Sequence, residues 1–223
     1  MANQRSLFDI IGPVMIGPSS SHTAGAVRLG ELALAIFGER PAEAAIELHG
    51  SFASTGRGHG TDLALTAGLL GMTPDDPGIR TALEAARAAD LRVTFTDADL
   101  GEVHPNTARI TLRSGGGRVV VVQGSSVGGA DVILTRIDDF DVAISGELPV
   151  LIVEHHDQPG VIAAVSQILA RHDANVASME VSREMRGARA LMVLETDQPV
   201  DDAAVGEVAQ ASAVTSVRVV PAV

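Results

Sequence analysis

Leu148-Pro-Val-Leu-Ile-Val153, Asp157-Gln-Pro-Gly160 and the apolar residues Val161, Ile162, Val165, Ile168 and Leu169 form the most regular part of the sequence, and their reading decides the fold. The first run reads as a buried strand. Pro159 suits the first turn of a helix, and the apolar spacing that follows is helical. Further on, Asn175–Val181 and Ala190–Leu194 read as strands joined by the polar turn Arg183–Gly187, and a helix over about Val200–Gln210 leads to a last strand, Val214–Val220. The order βαββαβ predicts a ferredoxin-like unit, a four-stranded antiparallel sheet with two helices on one face.

Outward from this unit, toward the N-terminus, the sequence is less periodic and richer in glycine. An apolar helix over Leu7–Ile11 precedes a loop over Gly12–Ser21, after which His22–Phe37 runs as a helix. Glu43–His49 reads as a strand, Gly60–Leu70 and Ile79–Ala88 as helices, and strands follow near Leu91–Thr96, Ala108–Leu112 and Arg118–Gln123. Gly115-Gly-Gly117 and Gly128-Gly129 read as hairpin turns. The expected architecture is α/β to α+β: a mixed-sheet domain over residues 1–145 and the ferredoxin-like domain over 148–223, with Gly146-Glu147 as the hinge.

Composition narrows the function. The chain has 223 residues, enough for two domains with cores of their own, and its 46% apolar and 20% charged residues describe a globular protein. A formal net charge of −12 repels phosphate backbones and anionic membranes, so neither nucleic acid nor membrane is an expected partner. No apolar run reaches membrane-spanning length and no signal-peptide pattern opens the chain, so a cytoplasmic location is expected. Cysteine is absent, which excludes a thiolate nucleophile or a thiolate-held metal cluster within this chain. Lysine is absent too, which closes the Schiff-base route to pyridoxal phosphate.

Three polar segments carry candidate chemistry. Gly17-Pro-Ser-Ser-Ser-His-Thr-Ala-Gly25 crowds hydroxyls and an imidazole at a helix start, where unpaired N–H groups and the helix dipole suit a carboxylate. A helix cap by Ser20 or Ser21, with His22 toward solvent, explains the same residues. Gly50-Ser-Phe-Ala-Ser-Thr-Gly-Arg-Gly-His-Gly-Thr-Asp62 reads as a glycine-rich loop carrying His59, a residue able to move protons near neutral pH, and a mobile surface loop is the plain alternative. His104-Pro-Asn-Thr107 places an imidazole and an amide at a stiff turn. His49, His155, His156 and His172 read as surface or turn residues, and the histidine spacing does not point to a metal site.

Three resemblances enter on these residues. Glu154-His-His-Asp-Gln-Pro-Gly-Val161 followed by Asp173-Ala-Asn-Val176 resembles an ACT domain, the amino-acid-binding module of many metabolic enzymes. That likeness implies a ligand site at Asp157, Pro159, Gly160 and Asn175, and a homodimer through paired ACT domains. Phe8-Asp-Ile-Ile-Gly-Pro13, Ile16–Gly25, Gly50–Asp62 and His104-Pro-Asn106, in that order, resemble the β chain of iron–sulfur L-serine dehydratases. The first domain also resembles the allosteric substrate-binding domain of some phosphoglycerate dehydrogenases.

The dehydratase resemblance implies an L-serine ammonia-lyase that forms pyruvate and ammonia, with a 4Fe-4S cluster held by cysteines of an α subunit rather than by this chain. It implies His59 as the leading base for the α-proton, His22 as a substrate-orienting or proton-transfer partner, Ser20, Ser21 and Thr23 as carboxylate ligands, and His104 and Asn106 in the same pocket. The isolated chain is then expected to be inactive. A non-catalytic amino-acid sensor is the alternative from another class.

Overall fold

The computed structural model describes residues 14–223; the helix expected over Leu7–Ile11 and the Phe8–Pro13 motif lie outside them. The chain divides after Asp138 into two compact units, ahead of the hinge expected at Gly146-Glu147. Contacts on the second unit's side explain the position: Arg189 lies 5.6 Å from the ring centre of Phe140, and Ser182 Oγ donates to Asp141 O at 3.3 Å.

In the first unit a π-helical turn, Ser20–Ala24, runs directly into helix α1, Gly25–Phe37. Leu29, Leu32, Ile36 and Phe37 give α1 its buried face, and Gly38, left-handed at φ 74°, ends it by donating its N–H to Leu34 O. Strand β1, Glu43–Leu48, alternates buried and half-buried residues as a one-faced strand should. Helices α2, Gly50–His59, and α3, Thr61–Leu69, a 3-10 turn, Pro77–Thr81, and α4, Ala82–Ala88, then lead to β2, Arg92–Asp97. This helical crossover is what a parallel β1–β2 pair requires, since a tight turn cannot join parallel strands.

Strands β3, Thr107–Arg113, β4, Val119–Gly128, and β5, Asp131–Ile137, continue the mixed sheet, which ends on β6, Phe140–Ile144, a strand that follows the division of the chain; the six-stranded order is β2-β1-β3-β4-β5-β6. The β3–β4 connection turns at Ser114–Gly117, where Gly117 is left-handed. β5 and β6 extend the sheet beyond the strands read from sequence.

The segment expected as a glycine-rich loop is helix α2. Its tertiary surroundings override the poor helix propensity of glycine. Ser51 and Phe52 donate their N–H groups to Pro105 O, which satisfies the first turn, and the fully buried Phe52 ring anchors it. Gly60, left-handed at φ 72°, closes the helix with its N–H on Gly56 O.

The second unit contains β7, Val150–His156, α5, Val161–Arg171, β8, Val176–Arg183, β9, Arg189–Thr196, α6, Asp202–Ala209, and β10, Val214–Val220. The sheet order β10-β7-β9-β8, antiparallel throughout, is the ferredoxin-like arrangement expected. Leu151, Val153, Met192 and Leu194 of the sheet pack against Val161, Val165, Leu169, Ala204 and Val208 of the helices. Asp201 caps α6 by accepting the Ala204 N–H at 2.7 Å.

Three histidines depart from the surface reading. His155 is 3% exposed because strand alternation places it with Leu151 and Val153. Its Nδ1 pairs with His156 O at 2.9 Å, while Nε2 is buried without a partner. His49 is half-buried and accepts the Leu100 N–H at 3.1 Å. His172 bridges two carboxylates, Asp201 at 3.2 Å and Glu207 at 3.1 Å. His156 is exposed as expected.

Candidate active site

The start of the long helix differs from the expected cap in one respect. Ser19, not Ser20 or Ser21, caps it: Ser19 Oγ accepts the His22 N–H at 3.2 Å and Ser19 O accepts the Thr23 N–H at 2.9 Å. The following turn is π-helical, a wide turn found often at functional sites. His22 is 9% exposed, so it does not point at solvent. Its ring stands edge-on to Phe52, with centroids 5.3 Å apart.

Every ring nitrogen of His22 faces hydroxyls. Nδ1 lies 3.2 Å from Ser21 Oγ and 3.4 Å from Ser19 Oγ, and Nε2 lies 3.1 Å from Ser51 Oγ and 3.2 Å from Thr55 Oγ1. Thr61 Oγ1 donates to His22 O at 3.2 Å and ties α3 to the same turn. The fold therefore brings His22 and His59 together, with ring centroids 4.9 Å apart. His59 is half-buried, and its Nδ1 lies 3.0 Å from Thr55 O. A carbonyl can only accept, so in the neutral ring Nδ1 carries the hydrogen and Nε2 the lone pair.

The other expected site residues are distributed less evenly. Ser20 and Ser21 are half-buried in the π-turn, beside the helix's first N–H groups. Thr23 is 2% exposed; its hydroxyl has no partner among the described residues and lies behind Gly17, where a Cβ would stand 2.4 Å from it. His104 is exposed and accepts the Asn106 N–H at 3.1 Å. Asn106 Nδ2 donates to Ser126 O at 3.4 Å. The His104–Asn106 turn reaches the histidine pair through Pro105, whose carbonyl caps α2 next to Ser51. Ser51 and Thr55 are the site residues that sequence reading did not single out.

In the second unit the four expected ligand residues do not converge. Asp157 accepts from Arg183 Nη1 at 2.8 Å and from the Gly187 N–H at 3.0 Å. Those bonds hold its carboxyl below the ordinary range. Pro159 and Gly160, the latter left-handed at φ 94°, stand exposed at the start of α5. Asn175 donates to Asp197 Oδ2 at 2.7 Å, beyond the far end of β9, roughly 25 Å along the strand from the Asp157 loop. Within one chain these residues form two places rather than one.

Electrostatics separates two of the histidines. Burial, then the neighbouring His59, hold His22 below the ordinary imidazole value of 6.5, against an opposing pull from the Ser51 main chain. His172 is raised above 6.5, first by its hydrogen bond to Glu207 and then by Asp201, with burial opposing. Folded His22 thus binds its proton less readily than the unfolded chain does. Its contribution to stability is intact above 6.5 and is lost as pH falls from there toward its lowered folded value. For His172 the sign reverses: the contribution is full below 6.5 and disappears as pH rises through the raised value. An NMR titration of the imidazoles should find His22 protonating below 6.5 and His172 above it, and the opposite order would contradict the arrangement.

The donor set does not suit a metal cluster. The chain has no cysteine, and no group of three or more His, Asp or Glu side chains able to hold a metal ion occurs among the described residues. No described helix is long and apolar enough to cross a membrane.

Comparison with known proteins adds the family context. Residues 6–96 match the family model described as serine dehydratase beta chain, and residues 149–213 match the ACT domain. The chain is 46% identical to the probable L-serine dehydratase beta chain of Bacillus subtilis, covering 89% of this chain and 90% of that one. It is 37% identical to the L-serine dehydratase beta chain of Peptoniphilus asaccharolyticus, covering 88% and 89%. A more partial likeness, 30% identity over 39% of this chain and 17% of the other, links it to D-3-phosphoglycerate dehydrogenase of Bacillus subtilis.

Proposed function

Because the chain belongs to the L-serine dehydratase β-chain family, we propose that it supplies the proton-handling half of an L-serine ammonia-lyase whose other half is a separate α subunit. The observation that carries this reading is the histidine pair. The contact of His59 Nδ1 with Thr55 O leaves Nε2 as the lone-pair site of its neutral ring, and His22 stands beside it, its proton affinity lowered by burial. Nothing in the geometry favours a purely sensory protein over this one.

In the reading we adopt, the substrate carboxylate sits at the helix start, where Ser20 and Ser21 and the first N–H groups stabilise negative charge. His59 Nε2 takes the proton from the α-carbon, the Cβ–O bond breaks with loss of water, and the enamine formed takes up water to give pyruvate and ammonia. The α-proton of an amino acid is a weak acid, so a neutral imidazole needs stabilisation of the developing charge by its surroundings. His22, its ring fixed by four hydroxyls, orients the substrate or relays a proton.

Iron–sulfur dependence is part of the same proposal. This chain's donors do not fit a cluster, so we assign the 4Fe-4S group to cysteines of the α subunit and derive no step from it. The ACT unit is read as pairing with its copy. Met179 and Val181 on the edge strand β8, 39% and 40% exposed, give that contact apolar surface.

The test is anaerobic serine turnover by the chain alone and with its α subunit. The chain alone is expected to form no pyruvate, and turnover is expected to appear on addition of the partner. Pyruvate formation without a second polypeptide would overturn the two-chain reading.

A further inference from the structure

Helix α2 presents Ser51, Thr55 and His59 at successive i, i+4 positions, on the face turned toward His22. Thr55 makes two contacts there. Its carbonyl lies 3.0 Å from His59 Nδ1, and its hydroxyl lies 3.2 Å from His22 Nε2. The same hydroxyl donates its one hydrogen to Ser51 O at 2.9 Å. With that hydrogen committed, Thr55 Oγ1 can only accept from His22.

From these contacts we infer that Thr55 is a positioning residue that sets the tautomers of both histidines. His22 carries its hydrogen on Nε2, directed at Thr55 Oγ1, and its Nδ1 lone pair accepts from Ser21 Oγ. His59 carries its hydrogen on Nδ1, directed at Thr55 O, and its Nε2 is left as the lone-pair site. Ser51 Oγ, 3.1 Å from His22 Nε2, could either donate or accept, so alone it would not decide the matter. Thr55 removes that ambiguity. One residue thereby keeps the two rings in complementary states.

The kinetic consequence rests on the reading of His22 as the substrate-orienting or proton-relay partner, whereas the tautomers do not. Thr55→Val keeps the shape and the main-chain carbonyl and removes the hydroxyl; Thr55→Ser keeps the hydroxyl. Thr55 is exposed, so neither change threatens the core. In nitrogen-15 NMR spectra of the full chain, the unaltered protein should show His22 as the Nε2–H form and His59 as the Nδ1–H form. Thr55→Val should give a mixture at His22 with His59 unchanged, and Thr55→Ser should restore the single form. In the reconstituted two-subunit enzyme, Thr55→Val should lower kcat roughly 10- to 100-fold with little change in KM, and Thr55→Ser should recover most of that loss. An unchanged His22 tautomer in Thr55→Val, or a His59 found as Nε2–H, overturns the inference. A shifted His22 tautomer with undiminished turnover upholds the positioning and instead sinks the role of His22 in orienting the substrate or relaying a proton.

Discussion

His59→Ala in the reconstituted two-subunit enzyme should lower kcat for L-serine by about 10²- to 10⁴-fold, the range associated with loss of a positioned general base. The residue sits at the end of α2, half-buried, and its side chain fills no part of the hydrophobic core. The variant should therefore fold normally, with unchanged far-ultraviolet circular dichroism. KM should change little, because the proposed reading assigns the carboxylate to Ser20, Ser21 and the main-chain N–H groups of the helix start rather than to His59. Added imidazole should restore part of the rate. Full activity in His59→Ala would remove the residue from the mechanism and shift attention to His22, which burial and its four hydroxyl neighbours make the less accessible base.

The largest effect on stability is expected at Gly68. Helices α1 and α3 cross there with backbone against backbone. A Cβ at Gly68 would fall 2.0 Å from Val27 O, 2.8 Å from Glu31 N and 2.8 Å from Gly30 Cα. None of these is a side chain that could rotate away. Gly68→Ala must push the helices apart, opening gaps around Leu29, Leu32 and Leu65, all of which are at most 1% exposed. A loss of about 3 kcal/mol or more follows, at or above the upper end of overpacking effects. Urea unfolding would read it as an early transition of the first unit with the ACT unit unaffected. Gly58→Ala is the control: nothing lies within 4 Å of a Cβ there, and the helix should gain roughly 0.5–1 kcal/mol. Equal stability of the two variants would show that α1 and α3 do not meet as described.

The ACT unit was legible in sequence because its signals are local. Period-two strands, the helical spacing of Val161, Val165, Ile168 and Leu169, and the Pro159-Gly160 start all act within a few residues, and the observed strands and helices follow them closely. Even there, the burial of His155 was concealed, since His155-His156 reads as polar until strand parity places one ring with the core. The ligand residues implied for the ACT unit fall in two places within one chain for a related reason. Asp157 and Asn175 lie close to helix α5 in sequence but at its two ends, and the antiparallel sheet keeps those ends apart.

In the first unit the glycines at 56, 58 and 60 argued for a loop, and that reading hid the i, i+4, i+8 register of Ser51, Thr55 and His59. Read as a helix, Gly50–His59 would have displayed all three on one face. What makes it helical is not in the segment: Pro105 O satisfies its first N–H groups, and a pocket of the core holds Phe52.

By itself the sequence determined the ferredoxin-like unit, the chemical types gathered at the site, and the absence of cysteine and lysine on which the proposal of a two-chain enzyme rests. Those are consequences of local periodicity and of which side chains exist. Only the tertiary structure decided that His22 meets His59, that Ser19 is the cap, and that Thr55 faces both rings. The contacts of His22 with Thr55 and His59 join segments more than thirty residues apart, and they form because burying α1, α2 and α3 against one core brings together faces that no local pattern connects.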